Sequence, residues 1–213
     1  MSDTTQLGQT QPDPSWPLDC GGMDVYLVAL LQSGQLARSA RVLDVGCGGG
    51  RNLEYFLRAG SEVHARDADL LAVEETRQLA LRLQGEEASR RVFAGRLEEL
   101  DGSPCAELVI CNAVLHFAED HEHFAAMLEG AWSCVAPGGI LFVRLASSIG
   151  LAPAADLGGG RYLLRDGSER YLVGRAELQH WGQRLGGELL GPVKTTLVED
   201  LRAMTTWVLG RPA

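Results

Sequence analysis

Apolar residues fall along this chain in two alternating rhythms, helical spacing and short continuous runs. Val25, Leu27, Val28, Leu30 and Leu31 fit one face of a helix that starts near Met23 and ends near Gly34. RVLDV (41–45) follows as a strand, and NLEYFLRAG (52–60) as a helix with a glycine stop. SEVHARD (61–67) predicts a strand, and DLLAVEETRQLALRLQ (69–84) a long amphipathic helix opened by an acid. RVFAG (91–95) and AELVICNA (106–113) are strands, the second apolar enough for mid-sheet. EDHEHFAAMLEGAWSCV (119–135) is a helix stopped by Ala-Pro-Gly-Gly, and ILFVRLA (140–146) the next strand. Strands alternating with helices imply βαβ units, hence a parallel sheet covered by helices on both faces.

The rhythm breaks after Ser147. SSIGLAPAADLGGG reads as loop, and RYLLRDGSERYLV (161–173) as a hairpin about Asp166-Gly167. A helix spans 175–186, and two β-rich segments joined near Glu199-Asp200 close the chain as an antiparallel pair. Residues 1–17 are polar, carry three prolines and show no periodicity, which predicts a flexible tail before a single domain over 18–213. Within that domain, 147–174 stands out as an insertion. One strand is odd: His64 and Arg66 share a face opposite Val63 and Ala65, so that face borders solvent or a polar site.

The densest chemical signal is VLDVGCGGGR (42–51), a buried-looking strand running into four glycines and then a helix. Such a turn lets a ligand lie against bare backbone, while the helix N-terminus offers unpaired N–H groups. Dinucleotide enzymes use G-x-G-x-x-G, but here the third position of that pattern is Arg51. The glycines instead fit D-x-G-x-G-x-G from Asp44 to Gly50.

With this loop, the acid ending EVHARD, the turn LVICNAVLHF and the run VAPGGILFV, the sequence resembles the class I S-adenosylmethionine-dependent methyltransferases. The likeness covers roughly residues 23–146 by motif and the C-terminal hairpin by topology. GCGGGRNLEYFLRAG is similar to small bacterial members, including those linked to tellurite resistance. The resemblance implies a Rossmann-like three-layer α/β sandwich. Its mostly parallel seven-stranded sheet would carry an antiparallel C-terminal strand. It also implies S-adenosylmethionine as cofactor and a small-molecule acceptor methylated by in-line displacement.

By the same resemblance, Gly46, Cys47 and Gly48 face the donor, and Asp67 with its neighbour Ala68 meets the ribose hydroxyls. The alternative is that Asp67 caps the following helix, but its place at a strand's C-terminal end favours the ribose role. Asp44 either meets the donor's ammonium group or orders the loop from beneath. Asn112 and Ala113 line the donor near its sulfur, and Cys47 is most simply a small packing residue. An acid is expected after the third strand to read adenine, yet Arg96 stands there. Either Glu98 substitutes, or the backbone at Leu97 does the reading, or adenine is held more weakly. His116 is the candidate general base, with a packing role as the alternative. His121 and His123, on a charged helix start, read as solvated. Arg161, Tyr162, Arg170 and Tyr171 in the insertion are candidate acceptor contacts, and the insertion itself a candidate lid.

Composition trims the alternatives. Acids outnumber bases 28 to 19, for a formal charge of −9, and lysine appears once, as Lys194. That balance argues against nucleic acid as a partner. Five cysteines lack zinc-ligand spacing, no metal site is expected, and Cys111 and Cys134 in apolar runs read as buried thiols of a reducing compartment. No apolar run reaches a membrane span and no secretory leader pattern opens the chain, so the expectation is a cytoplasmic protein. Oligomeric state is not encoded in these patterns. A catalytically inactive protein that binds adenosylmethionine or adenosylhomocysteine is the second reading, motivated by Arg96 and by the lack of an obvious base.

Overall fold

The computed structural model describes residues 20–37 and 39–213, so the expected tail at 1–17 lies outside the described residues. Helix α1 (Val25–Gln32) is capped by Asp24, whose carboxylate accepts the Tyr26 N–H. The chain then runs through β1 (Val42–Val45), α2 (Glu54–Arg58), β2 (Val63–Asp67) and α3 (Leu70–Gln84). It continues through α4 (Glu86–Ser89), β3 (Val92–Ala94), β4 (Ala106–Asn112), α5 (His121–Ser133) and β5 (Val135–Ala146). The insertion holds β6 (Ala155–Gly158), β7 (Arg161–Leu163) and β8 (Glu169–Tyr171). Helix α6 (Arg175–Leu185), β9 (Glu188–Leu189), β10 (Lys194–Val198) and β11 (Arg202–Gly210) complete the fold.

The main sheet has the order β10-β11-β5-β4-β1-β2-β3, with β1 to β5 parallel and β11 antiparallel to β5. This is the expected mostly parallel α/β sheet, with one refinement. Strand β9 also pairs with β11, giving an eight-stranded sheet in which β9 and β10 share one edge position. Gly191-Pro192 separates them, and proline has no N–H to donate to the ladder. Apolar side chains leave both faces: Leu27, Phe56, Val73, Ile110 and Phe142 pack on the α1–α3 side. Leu43, Val109, Phe124, Leu128, Trp181 and Trp207 pack on the α5–α6 side. Each fully buried Leu or Phe contributes about 2 kcal/mol, which is why the central strands tolerate so few polar residues.

Two local departures have simple causes. The Ala-Pro-Gly-Gly stretch does not lie outside the sheet; β5 begins at Val135 and passes through it with a register shift opposite Ala106–Leu108. The stretch read as loop contains β6, which adds to the expected β7–β8 hairpin to make a three-stranded antiparallel sheet. All four β6 residues are exposed, so no alternation of apolar and polar residues announces it.

Chain order reverses between β1 and β4, which neighbour each other but lead to strands on opposite sides. In open α/β sheets the crevice at such a point, beyond the C-terminal strand ends, is where ligands bind.

Candidate donor and acceptor site

The glycine turn leaves β1 at that crevice. Gly46 has φ +79°, and a Cβ on it would overlap Val114 Cγ2, so the turn at Val114 packs directly on bare backbone. Gly48 has φ +53°, and a Cβ there would meet nothing within 4 Å. Its backbone faces open space instead. The turn is pinned from both sides: Gly48 N–H donates to Asp67 Oδ2 at 2.8 Å, and Thr76 Oγ1 donates to the Gly48 carbonyl at 2.6 Å. Asp67 is not the helix cap, because Asp69 takes that role by accepting the Leu71 N–H.

These groups open onto a cavity of about 450 Å³, within the range of small-molecule sites. The glycine turn, the end of β2 and the segment after β3 line it, together with Val114 and Met127. Arg96 itself is exposed, its guanidinium 2.6 Å from Glu98. Glu98 lines the cavity, also lies 3.4 Å from His123 Nε2, and carries the carboxylate that the Arg96 position lacks. His123 therefore borders the cavity and is not the solvated residue its helix start suggested.

Asp44 sits under the turn, fully buried, and neither carboxylate oxygen has a hydrogen-bond partner. Burial pushes its carboxyl well above the ordinary range, with Arg51 pulling the other way. It does not order the loop amides, and it does not itself line the cavity. Asn112 is likewise buried with both amide atoms unpartnered, and it does not line the cavity. Cys47 packs in the core, and burial lifts its thiol to about 12, the behaviour of a packing residue.

A second chamber of about 290 Å³ meets the first at Ala113, which lines both. Ala113 has φ +64°, uncommon for a residue with a Cβ, and its N–H donates to the Arg144 carbonyl at 2.7 Å. His116, Arg144, Arg170 and Arg202 line this chamber. Strand β5 brings Arg144, β8 brings Arg170 and β11 brings Arg202. Sequence reasoning missed Arg144 and Arg202. A lone arginine inside the apolar run ILFVRLA was the available signal.

His116 is buried, and its Nδ1 accepts the Ala146 N–H at 3.3 Å. In the neutral ring that contact leaves the proton on Nε2. Burial, aided by the nearby Arg170 cation, lowers its pKa to about 4. The ring is thus a donor at Nε2, not the base expected from sequence.

The other insertion residues separate. Arg161 pairs with Glu169 on the surface, away from both chambers. Tyr162 packs beside Leu164 and Leu172. Tyr171 is buried, stacked on Phe124 at 4.6 Å, with its hydroxyl donating to Glu177 and lying 2.8 Å from His121 Nδ1. It anchors the hairpin to α5 and α6 and cannot touch an acceptor, and His121 is likewise engaged there.

Residues 43–141 match the family model described as "Methyltransferase domain". A trans-aconitate 2-methyltransferase of Pseudomonas aeruginosa is 32% identical over 121 residues, covering 56% of this chain and 40% of that protein. A ubiquinone biosynthesis O-methyltransferase of Xanthomonas axonopodis pv. citri is 31% identical over 163 residues, 70% of this chain and 63% of that one. The chain thus spans between two fifths and just under two thirds of these relatives' lengths. Among solved structures, the 1,6-didemethyltoxoflavin-N1-methyltransferase of Burkholderia thailandensis, with 1,6-didemethyltoxoflavin and S-adenosylhomocysteine bound, superposes with a TM-score of 0.64. It is 20% identical and covers 89% of this chain and 82% of that chain, a likeness of fold. Magnesium protoporphyrin IX methyltransferase of Synechocystis, with S-adenosylhomocysteine bound, gives 0.63 at 19% identity over 88% and 81%. Residues 43–141 thus match a methyltransferase domain, and the sheet order is the Rossmann-like arrangement of these structural neighbours.

Proposed function

We propose that the chain moves a methyl group from S-adenosylmethionine to a small-molecule acceptor. The observation that carries the reading is the junction at Ala113, where a cavity built on the glycine turn meets a second chamber large enough for a small acceptor. The residues fit the donor. Gly48 leaves open space where a ribose and methionine chain would pass, and Asp67, with Oδ2 accepting the Gly48 N–H and Oδ1 the Asp69 N–H, keeps a further lone pair on each oxygen for ribose hydroxyls. Asp44, buried without a partner, suits an incoming ammonium group. Leu97, Val114 and Met127 offer apolar surface to adenine, and Glu98 supplies the acceptor for its amino group. That role for Glu98 answers one motive for an inactive binding protein.

When bound, the donor supplies an electrophilic methyl group on a sulfonium. The chain's own work is then positioning, which can account for a large part of a displacement's acceleration. The insertion 147–174 acts as a lid in this reading, since Arg170 lies over the Phe117 ring at 4.9 Å between the two chambers. The relatives above are named for small organic molecules, which supports an acceptor of that kind. The buried thiols Cys111 and Cys134 favour a cytoplasmic setting. Among the described residues, no helix is long and apolar enough to cross a membrane.

Calorimetry tests the first half: adenosylmethionine and adenosylhomocysteine bind, and NAD(H) does not. Transfer of labelled methyl to an acceptor panel tests the second, and binding without any transfer would return the chain to the non-catalytic reading.

A further inference from the structure

The chamber beyond Ala113 holds three arginines, Arg144, Arg170 and Arg202, against one carboxylate, Asp166. They come from three different elements, so their convergence is a property of the fold and not of one basic segment. Arg144 is partly neutralised by Asp24 at 3.0 Å, yet its buried Nε has no partner. Arg170 donates one N–H to the Glu169 carbonyl and stacks on Phe117. Among the described residues neither Arg170 nor Arg202 forms an ion pair within 4.0 Å. Asp166 feels both cations, but its Oδ1 is taken by the Ser168 N–H and hydroxyl. The chamber keeps uncompensated positive charge, which an anionic ligand would complete.

The same chamber offers only poor proton acceptors. His116 already carries its proton at Nε2, because Nδ1 is occupied by the Ala146 N–H. Asp166, the other titratable acceptor there, is held below the usual carboxylate range by its bonds to Ser168. A phenol, an alcohol or an ammonium group would have to lose a proton, and Asp166, ionised and tied to Ser168, is a weak base for it. A carboxylate needs none.

We infer that the acceptor is a small-molecule carboxylate, held by Arg170 and Arg202 and oriented by the His116 Nε2–H, and that it is methylated on a carboxylate oxygen. This rests on the methyltransferase reading above. One carboxylate oxygen attacks the donor's methyl carbon as the carbon–sulfur bond breaks and its electron pair returns to sulfur. The products are a methyl ester and S-adenosylhomocysteine, with no proton transferred.

The test uses the full chain, labelled adenosylmethionine, and a panel of mono-, di- and tricarboxylates beside matched amides, phenols, amines and phosphate monoesters. Donor binding is measured first by calorimetry. Label should pass to carboxylates and be released as volatile methanol by mild alkali, which ethers and methylamines resist. With the best acceptor, Arg202→Met and Arg170→Met should each raise KM at least tenfold while donor affinity stays within twofold. Arg202→Lys should recover part of the loss. No donor binding would sink the methyltransferase reading itself. Donor binding with alkali-stable label, with preference for a phenol, amine or phosphate, or with no transfer to any carboxylate overturns this inference. An unchanged KM in both arginine variants with donor affinity retained would do so as well.

Discussion

The Asp67 carboxylate accepts the Gly48 amide at 2.8 Å, so the residue proposed to meet a ribose also holds the turn against which that ribose would lie. Asp67→Ala removes both effects at once. Each charge-assisted bond is worth about 1.5–3 kcal/mol. Affinity for S-adenosylhomocysteine, followed by calorimetry, should therefore fall by roughly ten- to a hundredfold or more. An affinity within twofold of the parent would remove Asp67 from the donor site.

Two glycines of one turn should respond to alanine in opposite ways. Gly46→Ala drives a methyl into Val114, an overpacking that costs about 1–3 kcal/mol of stability. Adding Val114→Ala should restore the packing part in a urea titration and leave the backbone cost of the positive φ, about 1–2 kcal/mol. Gly48→Ala meets no neighbour and carries only the backbone cost of its positive φ, about 1–2 kcal/mol. Its larger effect should be on donor affinity, because the new methyl occupies the cavity.

Asp44 predicts a trade between stability and binding. Its buried carboxyl has no partner and a raised pKa, so the folded state loses stability as pH rises through that raised value. Asp44→Asn should stabilise the free protein at pH 7, because the amide carries no charge to bury. It should also weaken adenosylmethionine binding while leaving methylthioadenosine, which lacks the ammonium group, almost unaffected. Equal losses for both ligands would show that Asp44 does not read the ammonium.

His116 works with the opposite sign. Its folded pKa is about 4, below the ordinary value near 6.5, so the unfolded chain takes up this proton first. The stability it contributes is present above pH 6.5 and declines as pH falls towards 4, by up to about 3 kcal/mol. Urea unfolding at pH 7 and pH 5 should show a steeper loss for the parent than for His116→Gln. Parallel curves would mean that the imidazole is not shielded as its burial implies.

Most of the cavity at the glycine turn could be read from residue order. The strand–glycine–helix run, the acid at Asp67 and the apolar β4 are local patterns, and local patterns survive in a sequence. The acceptor side was harder because it is made by distant contacts. Tyr171 and Arg170 are neighbours in the chain, yet pairing in the β7–β8 ladder sends one into the core against Phe124 and the other to the chamber. Arg144 and Arg202 lie nearly sixty residues apart on strands that looked like plain sheet. The tautomer of His116 depends on the backbone of Ala146, thirty residues away.

The meeting of the two chambers at Ala113 has a consequence for how such a protein can change. Every donor-side residue named above precedes residue 128, while the arginines beyond Ala113 come from residues 144 to 202. The two halves of the reaction are written in separate stretches of the chain, joined by one small side chain and a short histidine-bearing turn. Recombination that replaced the later stretch would exchange the molecule being methylated and leave the methyl source untouched.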